Sequence, residues 1–362
     1  MQRGVWHQCG DRSQKLVEEQ LQQGSGVGVV LSPRDLSRDN AIAYSESYRK
    51  AGAEVLIDHQ FYVPDFTNPR FGSYPISNFR QSVSALNKIS DQDLISFQNE
   101  LRADHAVLNA SAVIAPAVVY EAGRTDILQL NSRLFGAARE VAAELQIPIY
   151  ATVVLGKSVT SSDQTMQSML SQATALNSDG WYFGFEFEDE RIPSTRETVR
   201  RCCVAGLTLA CTGKPVLHAY AGPMGLLSFG FGATGVGIGH SQNLWKFTRD
   251  RWAPTSGQGG GGDAPPRYFS KALWGTIVYP DETSQLHLMQ ALRMSALCSN
   301  DPVCAYHVPG ESLESRWLHG AACHGCALVA ETSCEMRNDY LDRALVVPIL
   351  GFPDAAFFGV GA

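Results

Sequence analysis

Residues 26–58 read GVGVVLSPRDLSRDNAIAYSESYRKAGAEVLID, and they contain a complete strand–helix–strand unit. Val27 to Leu31 is a short β-branched and apolar run of the kind that forms a buried strand. Ser37 is placed to cap a helix with Ala41, Tyr44, Tyr48 and Ala51 on one face, and Gly52 follows where a left-handed residue ends a helix at little steric cost. Glu54 to Asp58 then reads as the next strand. Two strands separated by a crossover helix lie parallel in one sheet, so the unit predicts a parallel α/β fold.

The alternation continues outward from this unit. Further strands are expected at Ala106–Ala115, Ile147–Leu155, Trp181–Glu188, Val216–Tyr220, Thr234–Ile238 and Leu273–Tyr279. The helix starting near Thr125 carries Ile127, Leu130, Leu134, Val141 and Leu145 at helical spacing. Eight such units close a TIM-type (β/α)8 barrel, which is the expected fold. A doubly wound open sheet is the alternative, because spacing alone does not show that the first and last strands meet. The barrel is expected over residues 1–297, with the Gly/Pro-rich segment APTSGQGGGGDAPP at 253–266 as a flexible loop, and a zinc-binding module over 298–362.

Composition narrows the functional classes. The 362 residues carry 44% hydrophobic and 18% charged side chains, enough apolar mass for a large core. A net charge of −7 excludes a generally basic nucleic-acid coat, so nucleic acid would be met through a local patch or a partner. The sequence shows neither an apolar run long enough for a membrane span nor the apolar segment of a signal peptide, so a cytoplasmic protein without membrane contact is expected.

Five of the nine cysteines, Cys298, Cys304, Cys323, Cys326 and Cys334, fall in the last quarter of the chain. A reducing cytosol disfavours disulfides, which favours a metal site. Cys323 and Cys326 form a Cys-x-x-Cys pair able to chelate Zn2+ from one turn, with Cys304 and Cys334 as complements and Cys298, His307, His319 and His324 in reserve. Thr332 and Glu335 can cap a helix whose first turn holds Cys334, where the helix dipole favours a thiolate. Buried free cysteines acting as small apolar side chains are the competing account.

The stretches CSNDPVCAYH at 298–307 and LHGAACHGCALVAETSCEMRNDYLDRALVVP at 318–348 resemble the C-terminal zinc-binding domain shared by the B subunit of DISARM anti-phage systems and by MrfA-type DNA-repair helicases. The resemblance covers about residues 296–350. It implies that Cys304, Cys323, Cys326 and Cys334 bind zinc and that Glu331, Asn338, Asp342 and Arg343 support the fold around the metal. It also implies a setting in antiviral defence or DNA processing, beside a protein partner. The chain has no GxxxxGK[ST] motif, so helicase activity does not follow. A barrel followed by a zinc module is also similar in plan to tRNA-guanine transglycosylases, whose Cys-x-Cys-x-x-Cys spacing is not seen here.

Barrel enzymes carry reactive groups at the C-terminal ends of their strands. Those ends offer Asp58, Glu186, Glu188 and His218 as catalytic candidates, with Asp35, His59, Asn109, Tyr220 and His240 nearby in sequence. Glu186 and Glu188 share one side of a strand, with Phe185 and Phe187 opposite. A carboxylate among aromatics has its pKa raised by desolvation, which suits general acid–base work. Pairing with Arg34 or Arg201 is the competing account. The glycines of GATGVGIGHS at 232–241 suit either a phosphate contact or the taper of a barrel strand. The aromatic stretch Phe61 to Phe79 suits a lid, a docking surface or a packed loop. Two functions are therefore expected: a zinc-containing barrel component of a defence or DNA-processing complex, or a stand-alone barrel enzyme acting on a nucleotide, nucleobase or sugar-phosphate.

Overall fold

A computed structural model of the chain describes residues 1–10, 13–187, 195–239 and 244–252, together with two strands at 267–270 and 275–278. Eight strands form one parallel sheet: β1 (Gly4–Gln8), β2 (Gly28–Leu31), β3 (Glu54–Ile57), β4 (Val113–Ile114), β5 (Ile149–Leu155), β6 (Gly180–Phe185), β7 (Val216–His218) and β8 (Gly235–Ile238). Their order is β3-β2-β1-β8-β7-β6-β5-β4. The first and last strands therefore pair, with Val5 opposite Val236 and Trp6 opposite Gly237, as the barrel requires. The sheet is nearly a closed barrel. Its seam lies between β3 and β4, where Ser111 N donates to Val55 O at 2.8 Å and Val55 N donates to Ser111 Oγ at 3.2 Å.

Helices cross between successive strands: α1 (Gln14–Gln22), α2 (Arg38–Lys50), α3 (Asp91–Leu108), α4 (Thr125–Leu145), α5 (Asp163–Thr174), α6 (Arg196–Ala210) and the short α7 (Gly225–Gly230). Ser37 occupies the expected position before α2 but makes no side-chain capping hydrogen bond, and Gly52 adopts φ +85 just beyond the helix. In α4, Ile127, Leu130, Leu134 and Val141 are buried as their spacing predicts. Side chains outside the sheet, such as Val29, Val55, Val153 and Phe183, join this helical layer. Inside the barrel, Trp6, Leu56, Ile114, Tyr150, Val154, Tyr182 and Leu217 form a separate core.

Three strand expectations are corrected. The strand Gly4–Gln8 was not foreseen, and it supplies the member expected from Leu273–Tyr279. Residues Gly275–Val278 instead pair antiparallel with Arg267–Ser270 in a separate two-stranded sheet. The expected strand Ala106–Ala115 contributes only Val113–Ile114, because a capping box between Ser90 and Asp93 starts α3, which runs on to Leu108 and ends at left-handed Asn109. Residues 253–266 and 298–362 lie outside the described residues.

The interior is filled by pairing large rings with glycine. Trp6 lies between β2 and β8, and a Cβ on Gly28 would come within 2.5 Å of its ring, while one on Gly235 would come within 2.8 Å. Gly237 similarly faces Gln8 and Ala219. The strand glycines of 232–241 thus answer to taper. We expect Gly235→Ala to cost about 1–3 kcal/mol by overpacking, measured by urea denaturation. Trp6→Phe in the same chain should recover part of that loss, since the Trp6 indole N–H has no hydrogen-bond partner to lose.

Candidate active site at the barrel mouth

Asp58 continues β3 beyond its last residue, its N–H donating to Leu31 O at 3.0 Å, and its carboxylate is buried at the barrel's C-terminal end. The chain then turns through Gln60, a non-glycine residue at φ 54, so that Gln60 N donates to Asp58 Oδ1 at 2.9 Å. The turn returns Tyr62 over the site, where its hydroxyl donates to Asp58 Oδ2 at 2.7 Å. Tyr182 from β6 and Tyr220 beyond β7 donate to the same oxygen at 3.1 and 3.4 Å. Tyr220 is also left-handed, at φ 53. Gln60 Nε2 donates to its hydroxyl at 2.8 Å, and Gln8 Oε1 from β1 accepts its N–H at 2.7 Å. Asp58, Gln60, Tyr62, Tyr182 and Tyr220 are all buried.

The electrostatics follow from that burial. Desolvation raises the Asp58 carboxyl above its usual pKa, opposed by hydrogen bonds from Tyr62, the Gln60 N–H and Tyr182 and by nearby His59. The Tyr62 and Tyr182 phenols rise well above theirs, first through burial and then through the Asp58 charge. A carboxyl group biased toward its protonated form, in contact with three hydroxyls, can hold a proton and pass it along a chain of oxygens.

Residues 244–252, after β8, lie across this mouth. Phe247 and Trp252 are buried, stacked on each other at 5.1 Å, and each packs edge-on against Tyr62, at 5.0 and 5.1 Å. Arg249 Nε donates to both oxygens of Glu186 at 3.1 and 3.0 Å, its backbone N–H donates to Oε1 at 3.0 Å, and Nη1 reaches Glu121. Arg251 pairs with Asp35, whose Oδ2 also accepts from Ser32 at 2.8 Å. Beside this segment opens a cleft of roughly 560 Å³, lined in part by Asp65, Phe66, Lys157, Glu186, Arg249 and Trp252.

The structure does not gather all the sequence candidates. Asp58 is central, and Glu186 sits at the rim as the buried partner of Arg249. His218 points to the outer face of β7, where Nδ1 lies 2.6 Å from Ser228 Oγ and the ring packs on Phe183 at 4.9 Å. His59 turns away to Asp104, 3.2 Å from Nε2. Burial alone would raise the Asp104 carboxyl, but hydrogen bonds and charge from His59 and Arg38 hold it below its usual value. Glu188, His240, Cys304, Cys323, Cys326 and Cys334 lie outside the described residues. Within the described residues, no group of three or more His, Cys, Asp or Glu side chains is placed to hold a metal ion. Buried Phe61, Tyr62, Phe71 and Tyr74 make the aromatic stretch a packed loop, with Arg80 lying over the Phe61 and Phe71 rings at 4.6 and 3.8 Å.

Sequence reasoning missed Gln8, Gln60, Tyr62, Tyr182 and Arg249 as site residues. Tyr182 was accessible in principle: it lies four residues before Glu186 on one strand and so shares its face. Gln8 was not, because the strand that carries it was not recognised.

No family model matches the chain. A local stretch of 71 residues is 44% identical to the DISARM protein DrmB of Bacillus paralicheniformis (strain ATCC 9945a / NCIMB 11709 / CD-2), covering 20% of this chain and only 12% of that protein. Among solved structures, the 3-dehydroquinate dehydratase from Aquifex aeolicus VF5 aligns over 68% of this chain and 94% of its own, at 10% identity and a TM-score of 0.38. Orotidine 5'-monophosphate decarboxylase from Methanocaldococcus jannaschii, complexed with inhibitor BMP, aligns over the same shares at 9% identity and a TM-score of 0.36. The barrel is shown by its own strand order. Among the described residues, no helix is long and apolar enough to cross a membrane.

His218 gives a measurable consequence of its placement. Burial pushes its pKa down to about 3, so the folded chain holds it neutral while the unfolded chain protonates it below about pH 6.5. Its contribution is full above pH 6.5 and is lost as pH falls toward 3, amounting to about 2 kcal/mol by pH 5. His218→Asn keeps a partner for Ser228 and cannot charge. Denaturant titrations at pH 7 and pH 5 should show a smaller loss of stability for the variant than for the parent.

Proposed function

We propose that the chain is an α/β-barrel component of a prokaryotic anti-phage defence or DNA-processing system, acting within a protein complex. The observation that carries this reading is the 44% identity over 71 residues with DrmB. The net charge of −7 favours a protein partner, with nucleic acid met through that partner or a local patch. On this reading Cys304, Cys323, Cys326 and Cys334 hold one Zn2+. Four thiolates, two from a Cys-x-x-Cys turn, are a soft donor set suited to a closed tetrahedral site. Bound there, the metal supplies folding energy to its own segment.

Metal analysis of the untreated chain should then find close to one equivalent of zinc. Cys326→Ser should lower that content and make the C-terminal segment sensitive to limited proteolysis while leaving the barrel resistant. In a host carrying the chain with its native neighbouring genes, deleting this chain alone should raise phage plating at least tenfold. Unchanged plating would overturn the defence reading.

The buried carboxylate favours a second reading, in which the barrel is an enzyme on a nucleotide, nucleobase or sugar-phosphate. Asp58 is then the general acid or base, Tyr62 the nearest proton carrier and Glu186 the rim group that holds Arg249; Glu188 remains a candidate, whereas His218, turned outward to Ser228, leaves the set. General acid–base groups contribute about 10²–10⁴-fold to a rate. Asp58→Asn preserves shape and should fold with its zinc content unchanged. A loss of plating protection of tenfold or more assigns the activity to the barrel, and full protection by the folded variant leaves the chain as a scaffold.

A further inference from the structure

The segment that covers Asp58 is attached differently from the barrel it covers. β1 and β8 share a ladder of four register pairs, whereas residues 244–252 meet the sheet through one isolated bridge, Phe247 opposite Glu186, among the described residues. They also contain a 3-10 turn at Arg249–Trp252. Leu244, Trp245, Phe247 and Trp252 of the segment are buried, and its polar ties run mainly through side chains. Arg249 is clamped by Glu186 and Glu121, which follow β6 and β4, and Arg251 is clamped by Asp35, which follows β2. Segments held this way, without a backbone ladder, open at lower free energy than the sheet beneath them.

Three further observations mark the closed arrangement as one seat of two. Arg249 is 38% exposed at the edge of the open cleft, so its clamp can be reached from solvent. The Trp252 indole N–H is buried without a hydrogen-bond partner among the described residues, a cost that the closed position carries and an open one would relieve. Beneath the segment, Gln60 and Tyr220 hold left-handed backbone conformations while hydrogen-bonded to each other, and such positions persist where a site is preorganised.

We propose that residues 244–252 are an autoinhibitory strap: Phe247 and Trp252 plug the barrel mouth above Asp58 and its tyrosines, and the Arg249 and Arg251 clamps are the latches whose release opens the chamber. The inference rests on the reading of Asp58 as the acid–base group, since a strap inhibits only if what it covers reacts. The latches are electrostatic, so a partner that competes for Glu186 or for the Arg249 guanidinium would shift the strap toward open without disturbing the barrel.

Tyrosine nitration by tetranitromethane, mapped by mass spectrometry on the full chain, reads this opening directly. In the parent chain Tyr62, Tyr182 and Tyr220 should be protected, as should Tyr48, which is buried in the helical layer away from the strap. In the Arg249→Ala, Arg251→Ala chain, Tyr62 and Tyr220 should be nitrated at least tenfold faster while Tyr48 stays protected. Arg249→Gln alters only the half-exposed latch, and it should give a several-fold increase that decides the matter if the double variant does not fold. Protection of Tyr62 and Tyr220 equal to that of Tyr48 in the folded variants overturns the strap. So does nitration of Tyr48 in step with them, because the segment would then leave only with the whole fold. The readout does not depend on turnover: if the strap opens and Asp58→Asn changes nothing, the acid–base reading fails while the strap remains as a lid.

Discussion

A carboxylate buried in an apolar barrel must be solvated by the protein itself, and that requirement organises the mouth of this molecule. An unpaired buried ion costs many kcal/mol, whereas each hydrogen bond to a charged group returns about 1.5–3 kcal/mol. Asp58 meets the need with one backbone N–H and up to three phenols, drawn from three different strand ends. Those donors reach both carboxylate oxygens, and the backbone that presents them is left-handed at Gln60 and Tyr220, which for residues with a Cβ costs about 1–2 kcal/mol each. The strained residues are thus the ones that furnish the carboxylate's surroundings. A purely structural barrel would fill the same volume with Leu or Ile and need neither the strain nor the donors.

The charges farther out follow a different logic. Arg200 and Arg201 on α6 pair with Asp163 and Glu197 at the surface. Exposed pairs of this kind contribute about 0–1 kcal/mol and are screened by salt. Glu186 is another matter, because it is 2% exposed and its partner Arg249 is shared with Glu121. Two acids on one guanidinium leave the rim with an excess of negative charge, and losing the arginine would strand a buried carboxylate. The sequence reading had sought partners for this acid in Arg34 and Arg201. It had no way to bring in a residue from the segment after β8, because that segment's path over the mouth is set by tertiary packing of Phe247 and Trp252.

What was legible locally was the repeating unit. Val27–Leu31, the α2 face and Gly52 follow from periodicity and the glycine stop, because each element there is amphipathic or fully apolar and α2 is followed by a residue suited to ending it. Gly4–Gln8 was illegible for the same reason in reverse. Its five residues GVWHQ mix one β-branched side chain with His7 and Gln8, both buried, and show no period. The eight-stranded, nearly closed barrel was nonetheless anticipated, with the wrong segment supplying one strand. Candidate residues fared according to the side of the strand they occupy. Asp58 points inward and lies at the centre, whereas His218, at the end of an equally promising strand, points outward to Ser228. One residue of register separates a mouth residue from a packing residue, and a strand of three residues such as Val216–His218 offers too little alternation to tell which is which.

The seam explains why the mouth is furnished by loops rather than by the sheet. β3 and β4 are the two strands that do not pair, and Ser111 spans them with one backbone and one side-chain contact to Val55. Asp58 ends β3 at this weak point, and the long connection that follows it takes over the work of the missing ladder. Phe61 and Phe79 both pack edge-on against Phe97 of α3, at 5.9 and 5.6 Å, while Arg80 lies between Phe61 and Phe71 and donates to the carbonyls of His59 and Gln60. Aromatic pairs of this geometry add about 0.5–1.5 kcal/mol each beyond their burial. The aromatic stretch is thus a brace before it is anything else, and the same brace positions Tyr62 over the carboxylate. Fold stability and site geometry are coupled through that single loop, so substitutions in its buried rings disturb the mouth and the seam together, whereas a change to the strap reaches the mouth alone.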